Sequence, residues 1–309
     1  MNSPKYLNYE TRPAKFTERK MLLSSLLRIC NLYGGNYQYI GLGGVSFTDF
    51  KLFHKELHID EMYSLEIGSF SKEKLQINLP FSFIQIIKEQ STFALERINL
   101  SKKTLVWLDY DDTLKPYMFD DIDILFRRMP VGSIFLMSCN RELKSDETRE
   151  EYTVEEFKEI YGYLAPFNLK AKDFSALEDY KTIRMMFSAF INKIIKERDE
   201  EIKFQQLYNF LYQENRGAKM YTFGGIISEK EKTIQELNLS DFDFIRATEE
   251  PYKIEIPNLT SKEIDLINRN ISDEKALKEL IDKKIVTESE INKHKKTYRY
   301  LPNFYDVRL

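Results

Sequence analysis

Apolar side chains first recur at helical spacing over residues 14–33, where Met21, Leu22, Leu26, Ile29 and Leu32 share a stripe and Gly34-Gly35 predicts the stop. The period then changes. NYQYIGLGG reads as a short strand running into a glycine turn, and VSFTDFKLFHKEL as a helix with Phe47, Phe50 and Phe53 on one face. MYSLEI (62–67) is the second predicted strand, and PFSFIQIIKEQ (80–90) is predicted helical against its β-branched content. TLVWLDY (104–110) is an unbroken apolar run, as expected of a strand buried on both faces of a parallel sheet. A helix over FDDIDILFRRMP and a second buried strand, GSIFLMSCN, follow. This alternation predicts right-handed βαβ units in an α/β fold with a doubly wound, mostly parallel sheet.

Further on, the pattern loosens. Residues 141–165 are acidic and predict a loop and an exposed helix, and residues 180–199 a long amphipathic helix. FQQLYNFLYQ and KMYTFGGII flank an Asn-Arg-Gly turn and predict a terminal antiparallel hairpin. Over the last sixty residues, Thr260/Glu263 and Thr287/Glu290 have capping-box spacing, which predicts a small helical appendage ending in an aromatic tail. The expected organisation is a helical lead-in (1–35), a Rossmann-type domain (36–250, with 141–200 as its acidic insert and helices) and a helical C-terminal subdomain (251–309).

Composition narrows the setting. With 31% charged residues but a net charge of −3, there is no general pull toward nucleic acid or an anionic membrane. Two cysteines, Cys30 and Cys139, form neither a metal-type pair nor a disulfide scaffold. The opening residues MNSPKYLNYETRPAKF hold no apolar stretch, so no secretory signal is expected, and no window has the roughly 20 apolar residues that span a bilayer. A cytoplasmic protein is expected.

The candidate chemistry begins at Gly41, Gly43 and Gly44. Glycine lets a strand-to-helix turn tighten and approach a ligand, and a helix N-terminus offers N–H groups to an anion. G-x-G-G does not complete the dinucleotide fingerprint, so the turn alone also fits a ligand-free loop. Glu66 ends the second predicted strand, where an acidic group commonly meets ribose hydroxyls. The motifs YIGLGG, SLE and VWLDYDD, followed by the terminal hairpin, occur in the order seen in class I S-adenosylmethionine-dependent methyltransferases. Over about residues 14–228 the chain resembles that family, and it is similar to bacterial proteins described only as O-methyltransferases. The resemblance implies S-adenosylmethionine as cofactor, with Gly41, Gly43, Gly44, Glu66 and Asp109 as its binding residues. It also implies a catalytic role for the aspartates Asp109, Asp111 and Asp112, and a small-molecule or protein acceptor.

LDYDDTL (108–114) also fits D-x-D-x-T, the signature of haloacid-dehalogenase-type phosphatases, with Asp109 as nucleophile, Asp111 as acid/base, Mg²⁺ between them and Ser138 as the second motif. Against this, a complete glycine-turn unit precedes the strand, and the later acids of DFDFI (241–245) do not end a strand. One or both of Asp111 and Asp112 are expected to cap the next helix. Metal-dependent O-methyltransferases carry an Asp-Asn pair after the fifth strand, where this chain has Cys139-Asn140, so no metal is expected. His54 and His58 have zinc-compatible i, i+4 spacing without a third ligand. Arg12 and Lys15, in the Pro-containing turn before the first helix, are expected by default to be a solvated pair, the alternative being a reach into the crevice to the cofactor carboxylate or an acidic substrate, and Tyr298, Tyr300, Phe304 and Tyr305 form an aromatic tail that packs on the core or on a partner. A non-catalytic Rossmann-type subunit of a larger assembly, docking or self-associating through 251–309, is the alternative function.

Overall fold

The computed structural model describes residues 12–68, 70–198, 200–214 and 217–302. Its organising element is the apolar run, strand β4 (Thr104–Thr113). Val106, Leu108 and Tyr110 enter the hydrophobic core on one face of the sheet, while Leu105 and Trp107 enter the core on the other. A strand flanked by two cores must be apolar at every position, which is why this segment shows no alternation.

Around β4 lie β1 (Gln38–Gly41), β2 (Glu61–Leu65), β3 (Ile84–Ile87), β5 (Ile134–Asn140), β6 (Ile202–Gln213), β7 (Lys219–Glu229) and β8 (Tyr252–Ile254). They form one sheet in the order β3-β2-β1-β4-β5-β7-β6-β8. All neighbours pair parallel except β7, which runs antiparallel to both β5 and β6. The expected α/β fold and its terminal hairpin are both present. Asn215 and Arg216 of the predicted turn lie outside the described residues.

Helix α1 (Pro13–Leu32) and α2 (Thr48–Leu57) cover one face. The other face receives α4 (Ser91–Arg97), α5 (Tyr117–Arg128), α6 (Val154–Tyr161) and α7 (Asp179–Glu197), with α3 (Lys72–Ile77) between β2 and β3. Gly34 and Gly35 end α1 with φ of 78° and 62°, as glycine permits.

Three local expectations are corrected. The segment predicted helical at 80–90 contains β3: its Ile-Gln-Ile-Ile run pairs with β2, and β-branched side chains fit that pleated edge better than a helix. Helix α2 begins at Thr48, not at the glycine turn, because Phe47 is left-handed (φ 48°) and donates its N–H to the Gly43 carbonyl. α6 is not simply exposed, since Phe157 and Tyr161 are buried.

At the C-terminal end, β8 was not foreseen; it extends the sheet beside β6. Helices α8 (Ser261–Arg269), α9 (Glu274–Asp282) and α10 (Glu288–Thr297) follow, and both expected capping boxes are formed. These helices share a small core of Ile267, Leu277, Val286 and Ile291. Tyr300 packs edge-on against Phe244, and Tyr298 against His294, while Phe304 and Tyr305 lie outside the described residues. Among the described residues, no helix is long and apolar enough to cross a membrane.

Candidate functional site

In an open parallel sheet, ligands bind beyond the carboxyl ends of the strands where the strand order reverses. Here that point lies between β1 and β4, and three of the expected elements meet there: the glycine turn after β1, Glu66 after β2 and Asp109 near the end of β4.

The glycine turn is bound up with the protein itself. A side chain at Gly41 would overlap the hydroxyl and ring of Tyr39, two residues back on the same strand face. A Cβ at Gly43 would lie 2.6 Å from both the Phe47 ring and Ser64 Oγ. The Gly43 N–H donates to Ser64 Oγ (3.1 Å), the Gly44 N–H to Glu66 Oε1 (2.8 Å), and Ser64 Oγ to the same Oε1 (2.7 Å). The amides expected to face a ligand are therefore already engaged, and what they hold in place is Glu66. Burial pushes the Glu66 carboxyl above its ordinary range, with the Ser64 and glycine donors opposing that shift. Ile67, the next residue, is 73% exposed.

The β4 end is built differently. Strand alternation sends Asp109 to the α1 side with Trp107, and Tyr110 to the opposite core. Asp109 Oδ1 accepts from Lys15 Nζ at 2.8 Å. Lys15 is 3% exposed; its ammonium also pairs with Glu18 (2.7 Å) and lies 4.3 Å from the centre of the Trp107 ring and 5.5 Å from that of Tyr212. Glu18 is fully buried and accepts from Thr222 Oγ1, which bonds in turn with Ser138 Oγ (2.7 Å), the acceptor of the Trp107 indole N–H (3.0 Å). Burial raises the Glu18 carboxyl pKa, and Lys15 pulls it back. A second buried pair, Arg19 with Asp49 (2.5 Å), ties α1 to α2. Glu214, after β6, accepts from the Lys15 backbone N–H (2.9 Å) and so caps the start of α1.

Sequence reasoning gave the crevice only as the alternative for Lys15 and missed Glu18, Trp107, Tyr212 and Thr222. A signal for the helix residues was present. Lys15, Glu18 and Arg19 occupy i, i+3 and i+4 of the stripe that continues as Leu22, Leu26 and Ile29, so charged residues stand at positions that must be buried. Trp107 is the only tryptophan in the chain.

The other sequence candidates separate. Asp111 and Asp112 are exposed within β4 and cap no helix: α5 starts at Tyr117 with Pro116 before it. Ser138 is buried in the Thr222 network, and Asp241 of DFDFI pairs with Arg28 rather than joining Asp109. His58 ends α2 in a left-handed conformation, while His54 packs on Phe81 and Phe83 and pairs with Asp60. Among the described residues, no three His, Cys, Asp or Glu side chains are grouped to hold a metal. Cys139 is buried on the opposite face of the sheet from Asp109, with its thiol pushed up to about 12 by burial. Asn140 accepts from the Glu142 N–H, which shapes the loop after β5 (3.1 Å).

A mostly parallel sheet with β7 antiparallel to β5 and β6 defines a protein of the methyltransferase-like α/β class. A family described as "Putative O-methyltransferase" matches residues 7–309, and the chain belongs to that family. O-methyl transfer, the reaction in that family's description, agrees with the methyl transfer expected from the sequence. Similar solved structures include Trm1 from Pyrococcus horikoshii in complex with S-adenosyl-L-methionine, at 10% identity and TM-score 0.45 over 94% of this chain and 79% of that one. Spermidine synthase from Thermotoga maritima matches at 11% identity and TM-score 0.41, over 82% and 75% of the two chains. A LepI variant in complex with SAH and a substrate analogue matches at 8% identity and TM-score 0.34; 62% of this chain is covered, but only 43% of that one. No curated protein matches the chain.

Proposed function

We propose that the protein transfers a methyl group from S-adenosylmethionine to an oxygen of an acceptor. The observation that carries this reading is the pair of carboxylates, Glu66 and Asp109, at the ends of β2 and β4 on either side of the glycine turn. The donor set suits the cofactor. Glu66 is fixed through Oε1 by Gly44 and Ser64, which orients its other oxygen for a ribose hydroxyl. Exposed Ile67 beside it offers an apolar face to a purine. Gly41 and Gly43 act indirectly, by admitting Tyr39 and Phe47 and so shaping the loop.

When bound, the cofactor supplies an electrophilic methyl group on a cationic sulfur. Asp109 favours that positive charge and takes the proton of the acceptor hydroxyl. Lys15 fixes the carboxylate's direction, and the Trp107 and Tyr212 rings pack against its ammonium. Asp111 and Asp112 lie outside this set, on the exposed extension of β4.

A second reading, a ligand-binding subunit without turnover, rests on the Lys15–Asp109 ion pair, which commits the carboxylate to a protein cation. Two measurements separate the readings. Calorimetry with S-adenosylhomocysteine should show binding, and absence of binding at millimolar ligand sinks both methyl transfer and cofactor sensing. Methyl incorporation from labelled cofactor into a panel of hydroxyl acceptors, lost in Asp109→Asn with binding retained, supports catalysis. Turnover that survives Asp109→Asn unchanged removes Asp109 from the mechanism.

A further inference from the structure

A cavity of about 510 Å³ opens on the same sheet edge as Asp109, beyond the ends of β5, β6 and β8 and the start of β7. That volume falls within the range of small-molecule sites. Tyr212, Ile254 and Ile256 give its otherwise polar lining an apolar part. Its rim carries Lys219, Lys253 and Lys293, with Arg141 held by Asp179 and the Ala176 carbonyl. Two carboxylates also line it, but both are engaged: Glu255 with Lys293 (3.4 Å) and Glu214 with the α1 amide. Lys219 is 3.4 Å from Glu142, and Lys253 is exposed, with no ion-pair partner among the described residues. The positively polarised start of α1, at Pro13, completes the rim.

Tyr212 links the cavity to the proposed reaction site: its ring lines the one and lies 5.5 Å from the Lys15 ammonium bonded to Asp109 in the other. Strands are ~4.8 Å apart, so β6 is displaced from β4 by roughly 15 Å. Lys219 on β7 and Lys253 on β8 lie two and four strand spacings from β4, roughly 10 and 19 Å, which is the span an acceptor must cover to reach from them to Asp109. We propose that this cavity holds the acceptor, and that the acceptor is a small organic anion: an apolar body over Tyr212 and Ile254, an anionic group among the lysines, and a hydroxyl directed to Asp109. The assignment rests on the methyl-transfer reading for the acceptor role, while the anion site stands on the cavity alone. Binding energy at the remote anion would hold the hydroxyl in reacting geometry.

Phenyl phosphate, with benzyl alcohol as its neutral counterpart, tests the site by calorimetry on the full chain. Phenyl phosphate should bind at least tenfold more tightly, and its Kd should rise with salt. At ~5 Å and water-like screening, each protein unit charge changes affinity about fourfold per unit of ligand charge, so the charge reversal Lys253→Glu should weaken the nearly dianionic phenyl phosphate by at least about fifteenfold. Lys219→Gln should weaken it by at least about fourfold. S-adenosylhomocysteine affinity should stay within about twofold in both variants, which also shows that they fold. Equal binding of the two probes, no phenyl phosphate binding at millimolar concentration, or an unchanged Kd in Lys253→Glu overturns the anion site. If wild-type protein binds phenyl phosphate as expected but not S-adenosylhomocysteine, the acceptor role falls and the anion site stands.

Discussion

Lys15→Met tests the electrostatic arrangement beneath Asp109 most directly. Methionine keeps most of the packing against Trp107 but removes the ammonium that Glu18 and Asp109 share. Taking away one partner of a buried ion pair costs about 3–5 kcal/mol, because the remaining charge is left in a poorly polarisable interior. With an unfolding entropy of roughly 2.1 cal/mol/K per residue, that loss lowers Tm by about 5–8 °C for a chain of 309 residues. The sign of its pH dependence follows from Glu18. Its folded pKa lies above the ordinary 4.5 even with Lys15 present, and without Lys15 it rises further. A carboxyl raised on folding binds protons more tightly in the native state, so its stabilisation is greatest in acid and is lost as pH rises through the folded value. The deficit of Lys15→Met relative to wild type should therefore be larger at pH 8 than at pH 5. Urea unfolding followed by the fluorescence of the single tryptophan, Trp107, measures it, since that ring lies directly under the ammonium. Lys15→Met/Glu18→Gln should recover much of the loss at pH 8, a coupling that a double-mutant cycle quantifies. A deficit equal at the two pH values, or larger at pH 5, refutes the idea that Lys15 holds Glu18 charged.

Glu66→Gln should weaken S-adenosylhomocysteine by roughly tenfold to a hundredfold, the worth of a charge-assisted hydrogen bond, in calorimetry; unchanged affinity excludes Glu66 from the cofactor contact. Gly43→Ala should cost about 1–3 kcal/mol in urea unfolding, because its Cβ would meet Phe47 and Ser64 at 2.6 Å; a neutral substitution shows that the turn can relax. Cys30 and Cys139, both buried and pushed up to about 12, should resist a thiol reagent at pH 8 in native protein and react once it unfolds, and rapid native labelling would contradict that burial. His294 donates through Nε2 to Asn268, while its buried Nδ1 has no partner and burial depresses its pKa from 6.5. A depressed histidine contributes stability above its unfolded pKa that is lost as pH falls. Protection factors of the α8–α10 amides, with the intrinsic pH dependence of exchange divided out, should thus fall below about pH 6.5, and His294→Phe should abolish that response.

Local pattern and composition made part of the fold legible before any contact was known. Continuous apolar runs marked β4 and β5, because a strand covered on both faces tolerates no alternation. Threonine–glutamate spacing marked the starts of α8 and α10, because a capping box closes within four residues. Glu66 and Asp109 were legible because strand ends carry the polar residues of such sheets. What these residues touch depends on contacts between distant parts of the chain. β3 formed a strand because β2 offered it an edge, and β8 because β6 did; no local period encodes either pairing. The Gly-Leu-Gly-Gly turn read as a ligand cradle, yet in three dimensions its glycines make room for Tyr39 and Phe47, and its amides position Glu66. The neighbouring aspartates were parted by burial where the β4–β5 register shifts after Asp109, leaving Asp109 half-buried against α1 and Asp111 and Asp112 in solvent. Lys15 reaches Asp109 across 94 residues. Such a contact depends on α1 lying over the strand ends, and helix placement is set by the packing of whole faces rather than by any short run of sequence.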